Sequence, residues 1–325
     1  ALWLRASYLQ DEGQYIELSQ LTDWITQLEP RATRVWTFQA WNLAYNVSAM
    51  VPDAEARWRW VWRGLRILSL RAIPINPHSA DLYSETAWIY RHKIGGLFDE
   101  AHATYKKRLA ERVSEHFPRG RPPYARLDGD EPFAETVREE LFVSGDRMAT
   151  VESTYGLLDW RLADTHAVYW AHFGRDRDGT AGRLRCERIV YQSMADLFFR
   201  GQLVQAAEGA APVLMPRPDL LPGTVRAFER AQHRYPDDEG IRSAWLGFLT
   251  GAVLLLDATD MDEAARELFG RLRGQFPDET RETTYEQFPQ SEAARRSIAP
   301  YVRRLIDNAR ATHAESEGEA DGQER

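Results

Sequence analysis

The stretch DLYSETAWIYRHKIGGLFDEAHATYKKRLAERVSEHFP, residues 81–118, decides the fold class. Tyr83, Ala87 and Tyr90 recur at three- and four-residue steps, the period that sets side chains on one face of a helix. Phe98, Ala101, Tyr105 and Leu109 repeat the pattern further along. Between the two runs stand Gly95 and Gly96, whose missing Cβ atoms permit a tight turn that would strain most other residues. Phe117-Pro118 closes the second run, because an interior proline lacks an amide hydrogen and clashes with the preceding turn. The spacing predicts two helices, 81–94 and 97–116, folded back on each other as a pair.

Toward the amino terminus the same unit recurs. A short run, ALWLRASYLQ, is separated near Gly13 from a second helix in which Tyr15, Leu18, Leu21 or Thr22, Ile25 and Leu28 form an apolar stripe ended by Pro30. Residues 33–50 carry Trp36, Ala40, Leu43, Ala44 and Val47, with alanines small enough for close approach of a neighbour. A longer helix starts near Asp53 or Ala54. Its seam is Trp58, Val61, Trp62, Leu65 and Leu68, Arg59, Arg63 and Arg66 point elsewhere, and it stops before Pro74 and Pro77.

Toward the carboxyl terminus RGRPPYARLDGDEP, residues 119–132, interrupts the array. Further helices are expected over 133–147, around 163–173 and over 184–203, until prolines at 212, 216, 218 and 222 break the chain. Ala244 to Leu256, interrupted by Gly247, Thr250 and Gly251, is short for a membrane span and reads as buried. Residues 291–311 form a last, charged helix candidate. The organisation is thus helix pairs over 1–118, a central helical region with long loops over 119–210, a proline-rich connector over 211–222, and helices over 223–311. The closing segment, 312–325, is acidic and lacks large apolar groups, so burial would not offset its ordering entropy, and disorder is expected there.

These pairs resemble the units of tetratricopeptide-repeat proteins, in which a glycine precedes an aromatic, small residues sit at close crossings and a proline closes the second helix. The residues that carry the likeness are Gly13 with Tyr15, Leu18, Ile25 and Pro30, and Gly96 with Phe98, Ala101, Tyr105 and Leu109. MDEAARELFGRLRGQFP (261–277) adds Met261, Ala264, Leu268 and Pro277, and GTVRAFERAQHRYP (223–236) adds Ala227, Ala231 and Pro236. The likeness covers about half of the chain; the pair before residue 81 exceeds the usual period of roughly 34 residues. It implies an all-α, irregular TPR-like solenoid of helix pairs with a long interrupting central region. It also implies adaptor use, without naming a partner.

Composition narrows the function. Of 325 residues, 43% are hydrophobic and 28% charged, the balance of a folded globular chain. A net charge of −8 argues against general nucleic-acid binding, which calls for a dominant basic surface. Cys186 is the single cysteine, so the chain forms no internal disulfide and no multi-cysteine metal centre. Zinc-protease and phosphate-loop strings are absent, and neither a metal nor a cofactor is expected. Membrane attachment, where it occurs, is expected to come from a region upstream of Ala1. Trp58, Trp62, Trp88 and Trp170, at helical spacing, read as inter-helix filling.

Two functional readings follow. The first is a non-enzymatic interaction or assembly scaffold that receives a peptide, tail or helix of a protein partner, as a lone module or within a multi-subunit assembly. Its candidate contacts are Asn42 and Asn46, which can bond a peptide backbone, and Arg59, Arg63, Arg91 and Lys93, which can bond carboxylates. The alternative is a helical enzyme or cofactor-associated accessory protein built on the central segment 159–172. There Asp159, Arg161, Asp164, His166 and Tyr169 are the candidates, with His166 as a proton carrier oriented by an acid.

Overall fold

The computed structural model describes residues 2–128, 132–204, 212–281, 283–291, 294, 300 and 302–306. The chain is all-α apart from one two-stranded ribbon among the described residues. It divides into two compact units, Ala1–Ala227 and Phe228–Arg325. The expectations for the acidic segment 312–325 and for much of 291–311 fall outside the described residues.

The first unit opens with α1 (Leu2–Asp11) and α2 (Tyr15–Leu28). Leu18, Leu21, Thr22 and Ile25 of α2 are buried as their spacing requires, and Leu18, Leu21 and Ile25 form a core with Ala6, Leu9 and Val35. Leu28 departs from the expected stripe: it is 70% exposed, in the last turn of α2. The Pro30 carbonyl beyond that end accepts hydrogen bonds from the Trp36 indole and the Asn76 amide, both at 2.9 Å.

Next come α3 (Thr33–Trp41) and α4 (Ala54–Ile67), α4 capped by the Asp53 carboxylate on the Ala56 amide at 2.6 Å. Each widens at its end into π-helical turns, over Asn42–Val47 and Leu68–Ala72, with bonds five residues back from Ser48 to Leu43 and from Ile73 to Leu68. A one-turn α5 (Ile73–Ile75) follows, and α6 (Ala80–Trp88) widens in the same way over Ile89–Ile94.

The expected helix 97–116 begins five residues late, as α7 (His102–His116). Asp99 is the physical reason. Its carboxylate accepts from the Ala101 amide at 2.8 Å, from Lys93 at 2.5 Å, from Tyr105 at 3.2 Å and from Arg57 at 3.3 Å, so residues 95–101 are tied down as a turn. Gly96 is required there, since a Cβ would fall 2.2 Å from the His92 carbonyl oxygen. Phe98, expected on a packing face, is instead 85% exposed.

After α8 (Tyr124–Leu127), the helix expected over 133–147 is two helices, α9 (Pro132–Leu141) and α10 (Gly145–Tyr155). Phe142 breaks them apart by adopting φ 62°, a conformation that costs about 1–2 kcal/mol for a non-glycine residue. In that conformation its ring is buried against Trp62, 4.8 Å between centroids. Helices α11 (Ala163–Gly174) and α12 (Thr180–Arg200) pack on α6, which touches them rather than α7 across most of its surface.

A short ribbon follows where helix and connector were expected. Strand β1 (Gln202–Val204) pairs antiparallel with β2 (Val213–Met215), Leu203 opposite Leu214. Arg161 donates to the Leu203 carbonyl at 2.7 Å and Asp159 accepts from its amide at 3.1 Å, which holds the backbone extended. Helix α13 (Leu221–Arg234) carries the boundary between the units.

In the second unit, Phe228 of α13 stacks with Trp245 and Phe248 of α14 (Glu239–Asp257), which packs on α15 (Asp262–Gln275). Helix α14 is long and apolar enough to cross a membrane by length and composition. Its apolar face, including Ile241, Trp245, Leu249 and Leu256, is buried within the protein.

A close backbone crossing in the first unit lies at Gly182 of α12, where a Cβ would stand 2.6 Å from the Asp81 amide nitrogen and 2.7 Å from the Ala80 carbonyl carbon. Both obstacles are backbone and have no rotamer to move. Gly182→Ala is therefore expected to lower unfolding free energy by about 1–3 kcal/mol, read as a shift of the urea midpoint with unchanged slope; an unchanged midpoint would show that α6 and α12 do not cross this closely.

Candidate functional site

The residues singled out from the sequence divide into three places. The first is interior. Asn42 is fully buried, donates to the Tyr15 carbonyl at 3.2 Å and accepts from Asn46 at 2.9 Å, so it ties α3 to α2 rather than facing a partner. Arg91 also turns inward. Its guanidinium meets Asp164 and Asp196 at 2.8 Å each and Ser193 at 3.0 Å.

Burial, only partly offset by Arg91 and aided by nearby Asp196, holds the Asp164 carboxyl above its ordinary range. Lys93 is buried on Asp99, with its ammonium over the Tyr45 and Tyr105 rings at 5.2 and 5.8 Å. Burial pushes Asp99 up, but its hydrogen bonds to Lys93, the Ala101 amide and Tyr105 win and hold it below the carboxylate range. Close by, burial and Arg200 bring the Lys106 ammonium down to about 8; it donates to the Gly96 carbonyl at 2.6 Å and lies 3.1 Å from His102 Nδ1.

The second place is the central segment, where Asp159 and Arg161 pair with each other and the other three candidates meet separate partners. Asp159 and Arg161 form a two-pronged pair at 2.9 and 2.6 Å and spend their remaining bonds on Leu203. Asp164 belongs to Arg91. His166 is fully buried, with Nε2 2.9 Å from the Trp160 carbonyl, so that nitrogen carries the proton, and its ring is stacked on Tyr90 at 4.8 Å. Tyr169 accepts from the Ser144 amide at 3.2 Å. Burial raises the Tyr169 hydroxyl, while it pulls the His166 imidazole down to about 4.

The third place is a groove on the first unit where Arg59 and Arg63 stand exposed on α4. Arg59, Arg63, Arg66 and Arg71 wall a hollow of about 580 Å³, with Trp62, Ile67 and Leu70 as its apolar floor and Asp23 of α2 opposite. A second hollow of about 280 Å³ continues from it, sharing Asp23 and Arg63 and lined by Ile16, Trp24, Val47 and Trp60. Trp24 is 62% and Ile16 55% exposed.

Asp23 is already engaged, with Arg71 at 3.0 Å and Gln27 at 2.9 Å. Arg63 lies over the Trp60 ring at 5.5 Å, and Arg71 over Trp36 at 5.2 Å. Among the described residues no ion pair involves Arg59, Arg63 or Arg66. The outward direction of these three was legible from the α4 seam. Trp24 and Trp60 were missed, although each stands just off an apolar stripe.

Glu115, His116 and Glu140 bring three metal-type donor atoms within 4.8 Å of one another, with His116 Nε2 2.8 Å from Glu140. That is an imidazole–carboxylate contact between a largely buried His116 and a half-exposed Glu140, and among the described residues no fourth donor joins it. No family profile, curated protein or solved structure matches this chain.

His166 has a consequence for stability. The unfolded imidazole takes its proton near 6.5 and the folded one near 4, so between these values the unfolded state binds more protons. Stability present above pH 6.5 is thus lost as pH falls through the window. From about pH 7.5 to about pH 5 this contribution is about 2 kcal/mol. The stability advantage of the wild type over His166→Phe, measured by urea unfolding, is expected to shrink by that amount over the interval; a gap independent of pH would mean that His166 is not held neutral.

Proposed function

We propose that the chain is a non-enzymatic interaction scaffold, an irregular TPR-like array of helix pairs that receives a peptide, tail or helix of a protein partner. The observation that carries this reading is the groove between α2 and α4. Exposed Trp24, the Trp60 and Trp62 rings and three arginines without ion pairs stand together there, whereas Arg91 and Lys93 are consumed inside the fold. Tryptophan and arginine are the side chains that most often dominate binding energy in protein interfaces. Tryptophan supplies broad contact area for two side-chain torsions, and arginine a planar fork of donors that loses less freedom per hydrogen bond formed. Repeated antiparallel helices present such grooves as a consequence of stacking, since each pair buries one side and leaves the other open.

Affinity purification from native lysate, with the wild-type chain beside Trp24→Ala/Arg63→Glu, tests the reading. Both residues are exposed, so the variant's stability should stay within about 0.5 kcal/mol of wild type. A reproducible partner is expected with the wild type and about tenfold less with the variant. Absence of any reproducible partner, or a partner retained equally by both chains, would overturn the assignment of this groove as the docking site.

A further inference from the structure

We propose that the partner element seated in the groove is an acidic amphipathic helix, with carboxylates spaced to meet Arg59, Arg63 and Arg66 and an apolar edge directed onto Trp62, Ile67 and Leu70. This rests on the docking reading above and adds the chemistry of the occupant. Charge is the first argument. The chain as a whole carries −8, yet this groove presents four arginines against one aspartate, and that aspartate is held by Arg71 and Gln27. The groove is a local reversal of the protein's own sign, with three guanidinium groups left to a ligand.

Spacing is the second argument. Arg59, Arg63 and Arg66 are four and three residues apart on one helix, so they span about 10.5 Å along its axis in steps of about 6 and 4.5 Å. A second helix lying along α4 repeats those intervals with Glu or Asp at i, i+4 and i+7, and the positions i+1, i+5 and i+8 then form an adjacent stripe that can carry the apolar edge. The Arg63 guanidinium lies over the Trp60 ring at 5.5 Å, and its N–H groups make no ion pair among the described residues, which leaves them for a carboxylate.

Shape is the third. Trp62, Ile67 and Leu70 line the larger hollow together with the four arginines, and the smaller hollow adjoins it through Asp23 and Arg63, so a ligand that reaches Trp62, Ile67 and Leu70 enters among the arginines. A narrow rod with one apolar edge does so. A flat bilayer would meet the rims first, and a nucleic acid backbone would bring no apolar surface for the floor.

Fluorescence anisotropy with the full chain and a labelled synthetic helix of about 18 residues, carrying Glu at i, i+4 and i+7 beside a leucine edge, decides the matter. Affinity is expected to fall about tenfold when the three Glu are replaced by Gln and again when the chain carries Arg59→Glu/Arg63→Glu, and to weaken between about 50 and about 500 mM NaCl. The charge-reversed chain should recover binding to a peptide with Lys at those positions, which a misfolded variant would not. Equal affinity for the Glu and Gln peptides would overturn the acidic chemistry while leaving the groove as a docking site. Failure of both peptides would overturn this proposal, and partner capture would still judge the docking reading separately. Tighter binding to phosphatidylserine vesicles or to an oligothymidine, lost in the same variant, would reassign the groove to a lipid or nucleic-acid surface.

Discussion

The first unit depends on the burial of α6. From Leu82 to Ala87 every residue of this helix is buried, although Ser84, Glu85 and Thr86 are polar. A helix hidden on all sides needs a neighbour on all sides, and these are α3, α11 and α12. Ser84 donates to the Asp81 carbonyl, Thr86 donates to the Leu82 carbonyl, and Glu85 Oε2 accepts from Arg185 at 3.1 Å, while Glu85 Oε1 meets no hydrogen-bond partner among the described residues. Burial lifts the Glu85 carboxyl despite Arg185. Removing α12 would therefore strip α6 of apolar contact and leave a carboxylate without its cation, which is why the central helices belong with the amino-terminal ones in one compact unit.

The same dependence separates what was legible in the sequence from what was not. The stripe of α2 and the seam of α4 obey the helical period because each is set by residues within one helix. The helix from 97 failed for a reason outside that period: a single carboxylate, Asp99, gathers Lys93, Tyr105 and Arg57 and keeps the chain in a turn. Likewise Phe142 takes a strained conformation because Trp62, far back in the chain, offers its ring a face. The ribbon at Leu203 is drawn out by Asp159 and Arg161, which the sequence offered as catalytic candidates.

The arginines show the point most clearly for function. Arg59, Arg63 and Arg91 were alike as sequence, basic residues on helices that could face a carboxylate. Arg91 finds Asp164 and Asp196 on α11 and α12 and is spent on joining them. Breaking such a partly buried node by removing one partner leaves uncompensated charge, whereas an exposed pair contributes little. Arg59 and Arg63 find no acid because the carboxylate of α2 that lines the groove, Asp23, is taken by Arg71. Whether an arginine builds the fold or remains for a partner was decided by acids distant in sequence, information that no local pattern holds.

That division of roles also makes the groove a prepared surface. Its two walls, α2 and α4, are fixed relative to each other by contacts that do not consume the binding groups: Asn42 of the π-turn after α3 holds the start of α2, and Arg71 beyond α4 holds Asp23. Arg63 is steadied by Trp60 and Trp62 by Phe142 and Trp58. Long side chains ordinarily lose about 0.5–1.5 kcal/mol each when a ligand immobilises them. Rings already packed on one another and a guanidinium already held over an indole forfeit less, so more of the contact energy is available for affinity. The strained Phe142 backbone is part of this arrangement, since the ring it directs inward is the one that braces the groove floor at Trp62.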